Sequence, residues 1–344
     1  MGSSYLPGCR NAPPPGNRPV VGDNGGVPQN EELLELICGE IRSRGPLTFA
    51  RYMELALYHP DLGYYRRGDR FGKAGDFYTA EQLQPVFGEL MATFVEQLTK
   101  SLSEAHPFEV LELGSGRGEM ASALGRFGYR PYDWKSVPLP QNWTGLVLAN
   151  EFFDALPIHL MEKRREEWLE LLVDQRNGRI RFTSGRASPA LLEYAGRFGS
   201  AIPSGGRLEA CLEVSDWMER IAGILSSGYL LLIDYGYESR ELARFPEGTL
   251  VSYRGHRMHT DVLRTPGFQD ITAHVNFTWV RECAERSGFS SRSNSSLAAW
   301  VLRVWDEEDL ESRWHHADQH WRMQWKQLVF GMGEAFRVIE FKRT

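Results

Sequence analysis

The stretch FEVLELGSGRG, residues 108–118, decides the fold. Its first half, Phe108 to Leu113, is a short and largely apolar run, and its second half places glycine at positions 114, 116 and 118. A buried strand that runs straight into glycines is typical of α/β proteins in which the backbone approaches a nucleotide or nucleoside closely. The stretch therefore predicts a strand of an α/β sheet with a ligand beyond its carboxyl end.

Apolar runs with strand-like and helix-like spacing alternate on both sides of this stretch. The predicted helices cover residues 31–41, 48–58, 82–103, 118–127, 188–197 and 214–226. The predicted strands cover residues 144–149, 158–164, 167–174, 179–183, 207–213, 229–233 and 336–341, with Asn177-Gly178 as a hairpin turn. This alternation predicts an open α/β sheet.

The glycine turn separates two classes of cofactor. A dinucleotide-binding turn has the pattern G-x-G-x-x-G, which requires glycine at position 119, where this chain has Glu119. An acid at a helix start would also repel a pyrophosphate. The observed E-x-G-x-G-x-G, from Glu112 to Gly118, instead resembles the first motif of class I methyltransferases, whose cofactor carries a sulfonium and an ammonium group. We therefore favour a methyltransferase over a nicotinamide oxidoreductase, with a tight turn that holds no ligand as the other alternative.

A second strand, Leu146 to Ala149, ends in the segment Asn150–Pro157, which carries Glu151 and Asp154. Ligands of open α/β sheets bind beyond the carboxyl ends of the strands, so we expect this segment to border the same crevice as the glycine turn. Two carboxylates there can hold a guanidinium through charge-assisted, bidentate hydrogen bonds. In the alternative interpretation, the polar residues only cap a turn or a helix.

Composition and charge exclude several other classes. The chain has 344 residues and a net charge of −6, without the basic stripe of a nucleic-acid-binding protein. No apolar run approaches the roughly 18 residues that a membrane span needs. The four cysteines are scattered, which indicates free thiols in a reducing compartment. Residues 1–30 contain Pro13-Pro14-Pro15 and lack an apolar signal region, so we predict a disordered tail.

Several longer blocks make a resemblance specific. They are Gly75–Ala80 with Phe87–Glu89, Leu111–Gly118, Ala149–Pro157, Tyr253–Arg257 with Pro266–Val275, and Gly331–Phe336. Together they resemble the MidA-type family of S-adenosylmethionine-dependent methyltransferases, which includes a mitochondrial member that assists complex I assembly. The resemblance covers roughly residues 31–344.

This resemblance implies a fold, a cofactor and a substrate. The fold is α/β, a Rossmann-like class I methyltransferase core at residues 106–344 with an inserted β/α substrate region, preceded by an N-terminal helical lobe and cofactor lid loop at residues 31–105. The cofactor is S-adenosylmethionine, and no metal is expected. The implied reaction is symmetric dimethylation of an arginine in a protein partner such as an NADH dehydrogenase (complex I) subunit. The expected compartment is the cytoplasm, or the mitochondrial matrix if the source is a eukaryote, and the oligomeric state is left open.

The resemblance also assigns residues to roles. Glu151 and Asp154 are the implied catalytic residues, with Asn150 beside them. The implied cofactor-binding residues are Gly75, Asp76, Phe77 and Thr79 as a lid, Glu112, Gly114, Gly116 and Gly118 around the methionyl end, and Asn150.

The sequence departs from the family after the glycine turn. Only 25 residues separate Gly118 from Thr144, so a strand–helix unit of roughly 20–25 residues is missing. An acid on the second strand normally bonds the ribose hydroxyls, and Asp133 is the nearby candidate, although Pro131 is awkward in a central strand. The departure motivates the alternative function, a catalytically weakened relative that acts as an assembly or binding module.

Other candidate sites are weaker. His256 and His259 lie three residues apart but have no further ligand at a suitable spacing, so a metal site is not predicted. His274, in a predicted strand, is expected to be a core residue more than a catalytic one. Tyr235, after the strand 229–233, is expected at the crevice rim, either in a turn or against substrate. The tryptophans of the stretch 304–326 are expected to pack in the core in preference to lining a partner groove.

Overall fold

The computed structural model describes residues 30–66, 80, 83–100, 107–133 and 138–344. The predicted disordered tail lies outside the described residues except for Asn30, which caps the first helix. The helices are α1 (Glu31–Arg44), α2 (Phe49–Tyr58), α3 (Val86–Thr99), α4 (Ala121–Leu124), α5 (Pro189–Phe198), α6 (Glu213–Ile224), α7 (Phe277–Arg286), α8 (Leu297–Val304), α9 (Glu307–His316) and α10 (Gln319–Lys326). The strands are β1 (Leu47–Thr48), β2 (Glu109–Leu113), β3 (Arg130–Tyr132), β4 (Trp143–Asn150), β5 (His159–Arg164), β6 (Glu167–Arg176), β7 (Arg179–Arg186), β8 (Arg207–Ala210), β9 (Leu225–Tyr237), β10 (Val251–Arg254), β11 (Arg257–His259), β12 (Asp270–Thr272), β13 (Val275–Asn276), β14 (Ser290–Ser296) and β15 (Phe336–Arg343).

Seven of these strands form the largest sheet. Its order is β14-β15-β9-β4-β2-β3, with β13 also paired to β9. Strands β3, β2, β4 and β9 are parallel, whereas β15 and β14 are antiparallel to their neighbours. Leu113 of β2 pairs with Ala149 of β4, and Asn150 pairs with Ile233 of β9. The parallel strands therefore end at one edge of an open α/β sheet, as the sequence predicts.

Helices cover both faces of this sheet because its central strands are apolar on both sides. Residues of α3, α8 and the π-helical turn Gln327–Met332 form the core on one face. Residues of α5, α6 and α7 form the core on the other. On the first face Trp305 and Trp321 are buried with their rings 5.8 Å apart, and Trp314 and Trp325 pack against the same cluster. This packing confirms the core interpretation of the tryptophan-rich stretch.

A second sheet and the N-terminal helices form an adjoining layer. Strands β1, β6, β5 and β8 pair in that order, and β7 pairs with β6. The three alternating runs of the sequence are thus β5, β6 and β7, and the hairpin turn has positive φ at both Asn177 and Gly178, as predicted. Helices α1 and α2 share an apolar cluster with this sheet. Thr48 caps α2 by accepting a hydrogen bond from the Arg51 N–H at 3.1 Å.

The shortened region after the glycine turn takes a simple form. Strand β3 pairs only with β2 among the described residues, and it is the last strand on that side of the sheet. Pro131 therefore causes no loss of sheet hydrogen bonds on the open side, because an edge strand tolerates proline. The sequence argument against a central strand at Pro131 agrees with this edge position. The next strand, β4, lies on the other side of β2.

Two local predictions were wrong in detail. The helix predicted for residues 118–127 is one α-helical turn, α4, followed by a 3-10 turn at Gly125–Phe127. Gly125 and Gly128 flank that turn, and glycine disfavours a longer helix. His274 lies between β12 and β13 instead of inside a strand.

No described helix combines the length and the apolar character needed to cross a bilayer. Within the same residues, Cys38, Cys211 and Cys283 are free thiols.

The central strands approach unusually closely where they begin. Gly145 of β4 has a φ of 132°, and a Cβ atom there would lie 2.1 Å from the carbonyl oxygen of Glu109 on β2. Gly228 of β9 has a φ of 143°, and its Cβ atom would lie 2.1 Å from the carbonyl oxygen of Gly145. Neither contact can be relieved without moving backbone.

We expect Gly145→Ala to lower the free energy of unfolding by roughly 2–4 kcal/mol, because it adds both backbone strain and a backbone clash. Urea unfolding followed by circular dichroism measures this change. Gly223→Ala is the matched control, because its Cβ atom would meet nothing within 4 Å in α6, where alanine is preferred by about 1 kcal/mol. Equal stability of Gly145→Ala and the unmodified protein would contradict the close approach.

Candidate functional site

The glycine-rich turn after β2 has a backbone that glycine adopts readily. Gly114, Gly116 and Gly118 have φ angles of 68°, 52° and 71°, in the region that disfavours side chains. A Cβ atom on Gly114 would lie 2.7 Å from the ring of Phe152, whereas one on Gly116 would meet only an oxygen of Glu119 at 4.0 Å. Among the described residues, the turn is therefore packed against the segment after β4 and leaves space in front of Gly116.

The same contact joins the two corners that the sequence assigned to one crevice. Strands β2 and β4 are parallel neighbours, so the glycine turn and Asn150–Pro157 leave the sheet at the same edge. The ring of Phe152 then lies directly against Gly114. The structure thus brings Gly114 and the acidic segment together.

Glu112 and Asn150 are the buried polar residues at the ends of β2 and β4. The hydroxyl of Tyr129 donates a hydrogen bond to the Glu112 carboxylate. Side chains alternate along a strand, so Glu112 lies on the face of Val110 and Asn150 on the face of Leu148, and both apolar residues belong to the cluster under α3. Glu112 and Asn150 therefore lie on one face of the sheet, beside the glycine turn.

Glu151 is held in an uncommon conformation. Its φ is 48°, which is unusual for a residue with a side chain. Its N–H donates to the carbonyl of Ile233 at 2.9 Å, and its carboxylate accepts a hydrogen bond from the N–H of Ala80 at 2.9 Å and another from the Asn150 side chain. Burial raises the pKa of Glu151 to about 8, opposed by the Ala80 hydrogen bond and reinforced by the charge of Asp154.

Two further carboxylates lie beside Glu151. Asp234, which lies in β9, is fully buried. One of its oxygens accepts hydrogen bonds from the N–H groups of Phe153 and Asp154 at 2.9 and 3.1 Å, and the other accepts from Tyr235 at 2.9 Å. Burial raises the pKa of Asp154 well above its usual range, with help from the charge of Asp234. Burial and the charge of Glu151 raise the pKa of Asp234 in the same way.

The N-terminal lobe closes one side of this acidic group. The hydroxyl of Tyr65 donates to the carboxylate of Asp270 on β12 at 2.8 Å, and the hydroxyl of Tyr58 donates to the carbonyl of Ala155 at 2.8 Å. Burial and the charge of Asp270 raise the pKa of both tyrosines. Both hydroxyls therefore stay neutral hydrogen-bond donors at the rim of the site.

Asp133 follows β3 next to the glycine turn. The N–H of Gly114 donates to the carbonyl of Tyr132 at 2.9 Å, which fixes the end of β3 beside the turn. The Asp133 carboxylate lies 3.4 Å from a guanidinium nitrogen of Arg66. Asp133 thus occupies the end of the second parallel strand, where an acid binds ribose hydroxyls in related folds, and its role there stays a prediction.

The predicted site residues fall into two groups. Glu112, Gly114, Gly116, Gly118, Asn150, Glu151 and Asp154 lie at one edge of the sheet. The predicted lid residues Gly75, Asp76, Phe77 and Thr79 lie outside the described residues. Their roles stay predictions in both groups.

Sequence reasoning missed four side chains of the site: Tyr58, Tyr65, Asp234 and Asp270. The position of Asp234 directly after the most apolar strand was the available signal for it. Asp270 lies in Pro266–Val275, one of the segments that resemble the family, but the resemblance implied no role for it. For the two tyrosines the sequence carried no signal, because their contacts join segments about 100 and 200 positions apart.

The remaining candidates lie apart from this group. His256 and His259 belong to the hairpin of β10 and β11. In the described part of the chain, no three histidine, cysteine or acidic side chains converge to hold a metal ion. His274 stacks on Tyr235 at 6.3 Å, and burial lowers its pKa to about 4, so that it is neutral at physiological pH.

We expect the stability of the ligand-free protein to fall as pH rises from 4.5 to about 8. In this interval Glu151 keeps its proton in the folded state but loses it in the unfolded chain, so the folded state binds more protons and stability decreases with pH. Thermal unfolding across this range measures the slope. Glu151→Gln should reduce the slope, and a slope unchanged by that substitution would contradict the raised pKa.

Comparisons with known proteins agree with this geometry. A family model described as S-adenosyl-L-methionine-dependent methyltransferase matches residues 126–294. The mitochondrial protein arginine methyltransferase NDUFAF7 of Danio rerio is 28% identical over 318 residues, which cover 74% of this chain and 72% of that protein. Its Drosophila melanogaster homologue is 28% identical over 320 residues, which cover 74% and 70%.

A solved structure extends the likeness to nearly the whole fold. The crystal structure of a Burkholderia thailandensis protein bound to S-adenosyl-homocysteine has a TM-score of 0.82 and 28% identity, and the match covers 92% of this chain and 95% of that one. The predicted Rossmann-like methyltransferase core and the predicted cofactor, S-adenosylmethionine, are thereby confirmed. The glycine turn, its position at the common strand edge and these likenesses lead to one conclusion: the chain is an S-adenosylmethionine-dependent methyltransferase that is similar to the MidA-type family.

Proposed function

We propose that this methyltransferase dimethylates an arginine of a protein substrate such as an NADH dehydrogenase (complex I) subunit. The buried carboxylates beside the glycine turn carry the proposal. Two relatives are named as protein arginine methyltransferases, which supports the same acceptor here. Their mitochondrial names also support the matrix as the compartment if the source is a eukaryote.

The electrostatics of the acidic group favour a cationic acceptor. Burial is the largest cause of the raised pKa of Glu151, Asp154 and Asp234, and neighbouring acids add to it. No ion pair joins these three to a lysine, arginine or histidine in the described part of the chain. A bound guanidinium would take the place of the protons that these carboxyl groups hold. It carries a fixed positive charge and five N–H donors, which can bind two carboxylates.

The glycine turn at residues 114–118 fits S-adenosylmethionine as the methyl donor. The space in front of Gly116 and the buried acid Glu112 suit a ligand that carries a cationic sulfonium and an ammonium group. Asn150 lies on the same face as Glu112, between the turn and Glu151. When bound, S-adenosylmethionine supplies a methyl group whose carbon–sulfur bond breaks, with its electron pair left on sulfur, as a carbon–nitrogen bond forms.

The acidic residues align and deprotonate the acceptor. A guanidinium is protonated in water, with a pKa above about 12, and the methylated nitrogen must lose one proton. Glu151 holds the guanidinium by charge-assisted hydrogen bonds and accepts that proton, for which its raised pKa suits it. Asp154 holds the second edge of the same group. The enclosed position excludes water and fixes the nitrogen in line with the methyl group.

We expect Glu151→Gln to lower kcat by roughly 100-fold or more while cofactor affinity stays unchanged, because the amide keeps the shape but accepts no proton. The assay uses the full chain, S-adenosylmethionine and purified complex I subunits, and mass spectrometry locates methyl groups on arginine. Glu166→Gln is the matched control, since Glu166 is exposed in the turn between β5 and β6. Full turnover by Glu151→Gln would remove Glu151 from catalysis, and methyl groups on lysine or on a small molecule would overturn the arginine assignment.

We expect Gly114→Ala to weaken S-adenosyl-homocysteine binding by at least about 10-fold. The new Cβ atom combines the cost of a left-handed backbone, about 1–2 kcal/mol, with a clash against Phe152. Gly178→Ala has a similar φ of 73° but nothing within 4 Å of its Cβ atom, so it isolates the backbone cost at a distant turn. Isothermal titration measures both affinities.

The same titration of the unmodified chain separates the two candidate functions. The edge position of β3 favours the alternative, a binding module without activity, because the sheet ends where a further strand–helix unit was expected. Absence of binding heat at millimolar cofactor would support that alternative. Saturable binding with methyl transfer supports the enzyme.

A further inference from the structure

Asp234 combines complete burial with three backbone hydrogen bonds, and its role is unassigned. Its carboxylate accepts from Phe153, Asp154 and Tyr235 and thereby connects β9 to the connection that follows β4. Among the described residues, Asp234 is one of a few acids with almost no exposed surface. A carboxylate in such a place costs several kcal/mol unless its hydrogen bonds offset the lost hydration, so the residue invites a functional explanation.

The segment that Asp234 binds, which follows β4, carries both Glu151 and Asp154. Glu151 lies two residues before Phe153, the first residue bound by the Asp234 carboxylate, and Asp154 is the second. The backbone of Glu151 is strained, with a φ of 48°, and such a conformation persists only where its surroundings fix it. Two constraints flank it on the chain: the hydrogen bond from its own N–H to Ile233 at 2.9 Å, and the Asp234 carboxylate on the other side.

We propose that Asp234 is the positioning residue of the acceptor site, which fixes Glu151 and Asp154 in the geometry that receives the guanidinium. This inference rests on the proposed arginine methyltransferase function. Asp234 acts through the backbone N–H groups of Phe153 and Asp154, whose two bonds to a single oxygen set the direction of the connection. A rigid connection matters because misplacement of a catalytic group by about 1 Å costs on the order of 100-fold in rate.

The substitution Asp234→Asn tests this clamp, which is the set of hydrogen bonds from Phe153 and Asp154 to the Asp234 carboxylate, and it leaves the shape of the side chain almost unchanged. The single carbonyl oxygen of the asparagine can accept either the Phe153 and Asp154 pair or the Tyr235 N–H, and its NH₂ group then faces donors on the other side. Asp174→Asn is the matched control, because Asp174 accepts a hydrogen bond from the next residue, Gln175, at 2.8 Å, as Asp234 does from Tyr235, but lies in the β6–β7 hairpin.

We expect Asp234→Asn to raise KM for the protein substrate and lower kcat, together by roughly 10- to 100-fold in kcat/KM, with S-adenosyl-homocysteine affinity and binding stoichiometry unchanged. A purely structural role would instead lower stoichiometry and kcat in proportion and leave KM unchanged. In an Asp154→Asn background, the further loss caused by Asp234→Asn should be small, because residues that act as one unit are not additive. Full additivity of the two losses would overturn the positioning role.

A measurement on the unmodified protein covers the case in which Asp234→Asn does not fold. Amide hydrogen exchange should show the N–H groups of Phe153 and Asp154 protected to the level of central β9, both with and without S-adenosyl-homocysteine. Exchange as fast as in an exposed loop would overturn the clamp. This readout does not depend on methyl transfer, so absence of arginine methylation by the unmodified chain would refute the proposed function and leave the clamp to be judged on exchange.

Discussion

The burial of several carboxylates at one edge of a parallel sheet is the constraint on which the site depends. An ionised carboxylate inside a protein costs several kcal/mol unless hydrogen bonds and opposite charges replace its hydration. Here the nearest charges are other acids, so burial and mutual repulsion raise the pKa of Glu151, Asp154 and Asp234 together. The raised pKa values favour the protonated acids in the ligand-free protein, and a bound cation would stabilise their ionised forms.

The fold can hold such a group because the parallel strands end together. Backbone N–H groups are left without sheet partners where strands end, and those of Phe153 and Asp154, which follow β4, donate to the carboxylate of Asp234 on β9. The same edge places the glycine turn against the ring of Phe152, which belongs to the acidic segment that follows β4. The close approach of Gly145 and Gly228 at the opposite ends of the strands belongs to the same tight sheet.

Sequence patterns were sufficient for those features that depend on short-range chemistry. The run Phe108–Leu113 with its glycines fixed the order of strand, turn and ligand edge, and Asn177-Gly178 predicted a hairpin from the φ preference of its residues. Features that depend on a neighbour in space were less accessible. The sequence argued against a central strand at Pro131, and β3 is an edge strand among the described residues, whereas the helix after Gly118 is shorter than predicted and ends where Gly125 begins a 3-10 turn.

The acidic group beside the glycine turn was predicted only in part, because its contacts join distant parts of the chain. Glu151 and Asp154 stand in one local segment, whereas Asp234 reaches them across 80 positions and Tyr65 reaches Asp270 across 205. No periodicity or spacing in a single sequence encodes those pairs. The segment Asn150–Pro157 therefore indicated that acids lie at the crevice, but not how their charges are supported.

The shortened sheet gives this site its particular form. Because β3 is the outermost strand, its end and Asp133 lie at the margin of the sheet, where the N-terminal lobe contacts Asp133 through Arg66. The three strand ends that border the glycine turn and the acidic segment, those of β2, β4 and β9, are interior and fully paired. We therefore expect the shortened region after the glycine turn to bear on cofactor affinity. The proposed alignment of an acceptor nitrogen depends instead on β2, β4 and β9, which are interior strands.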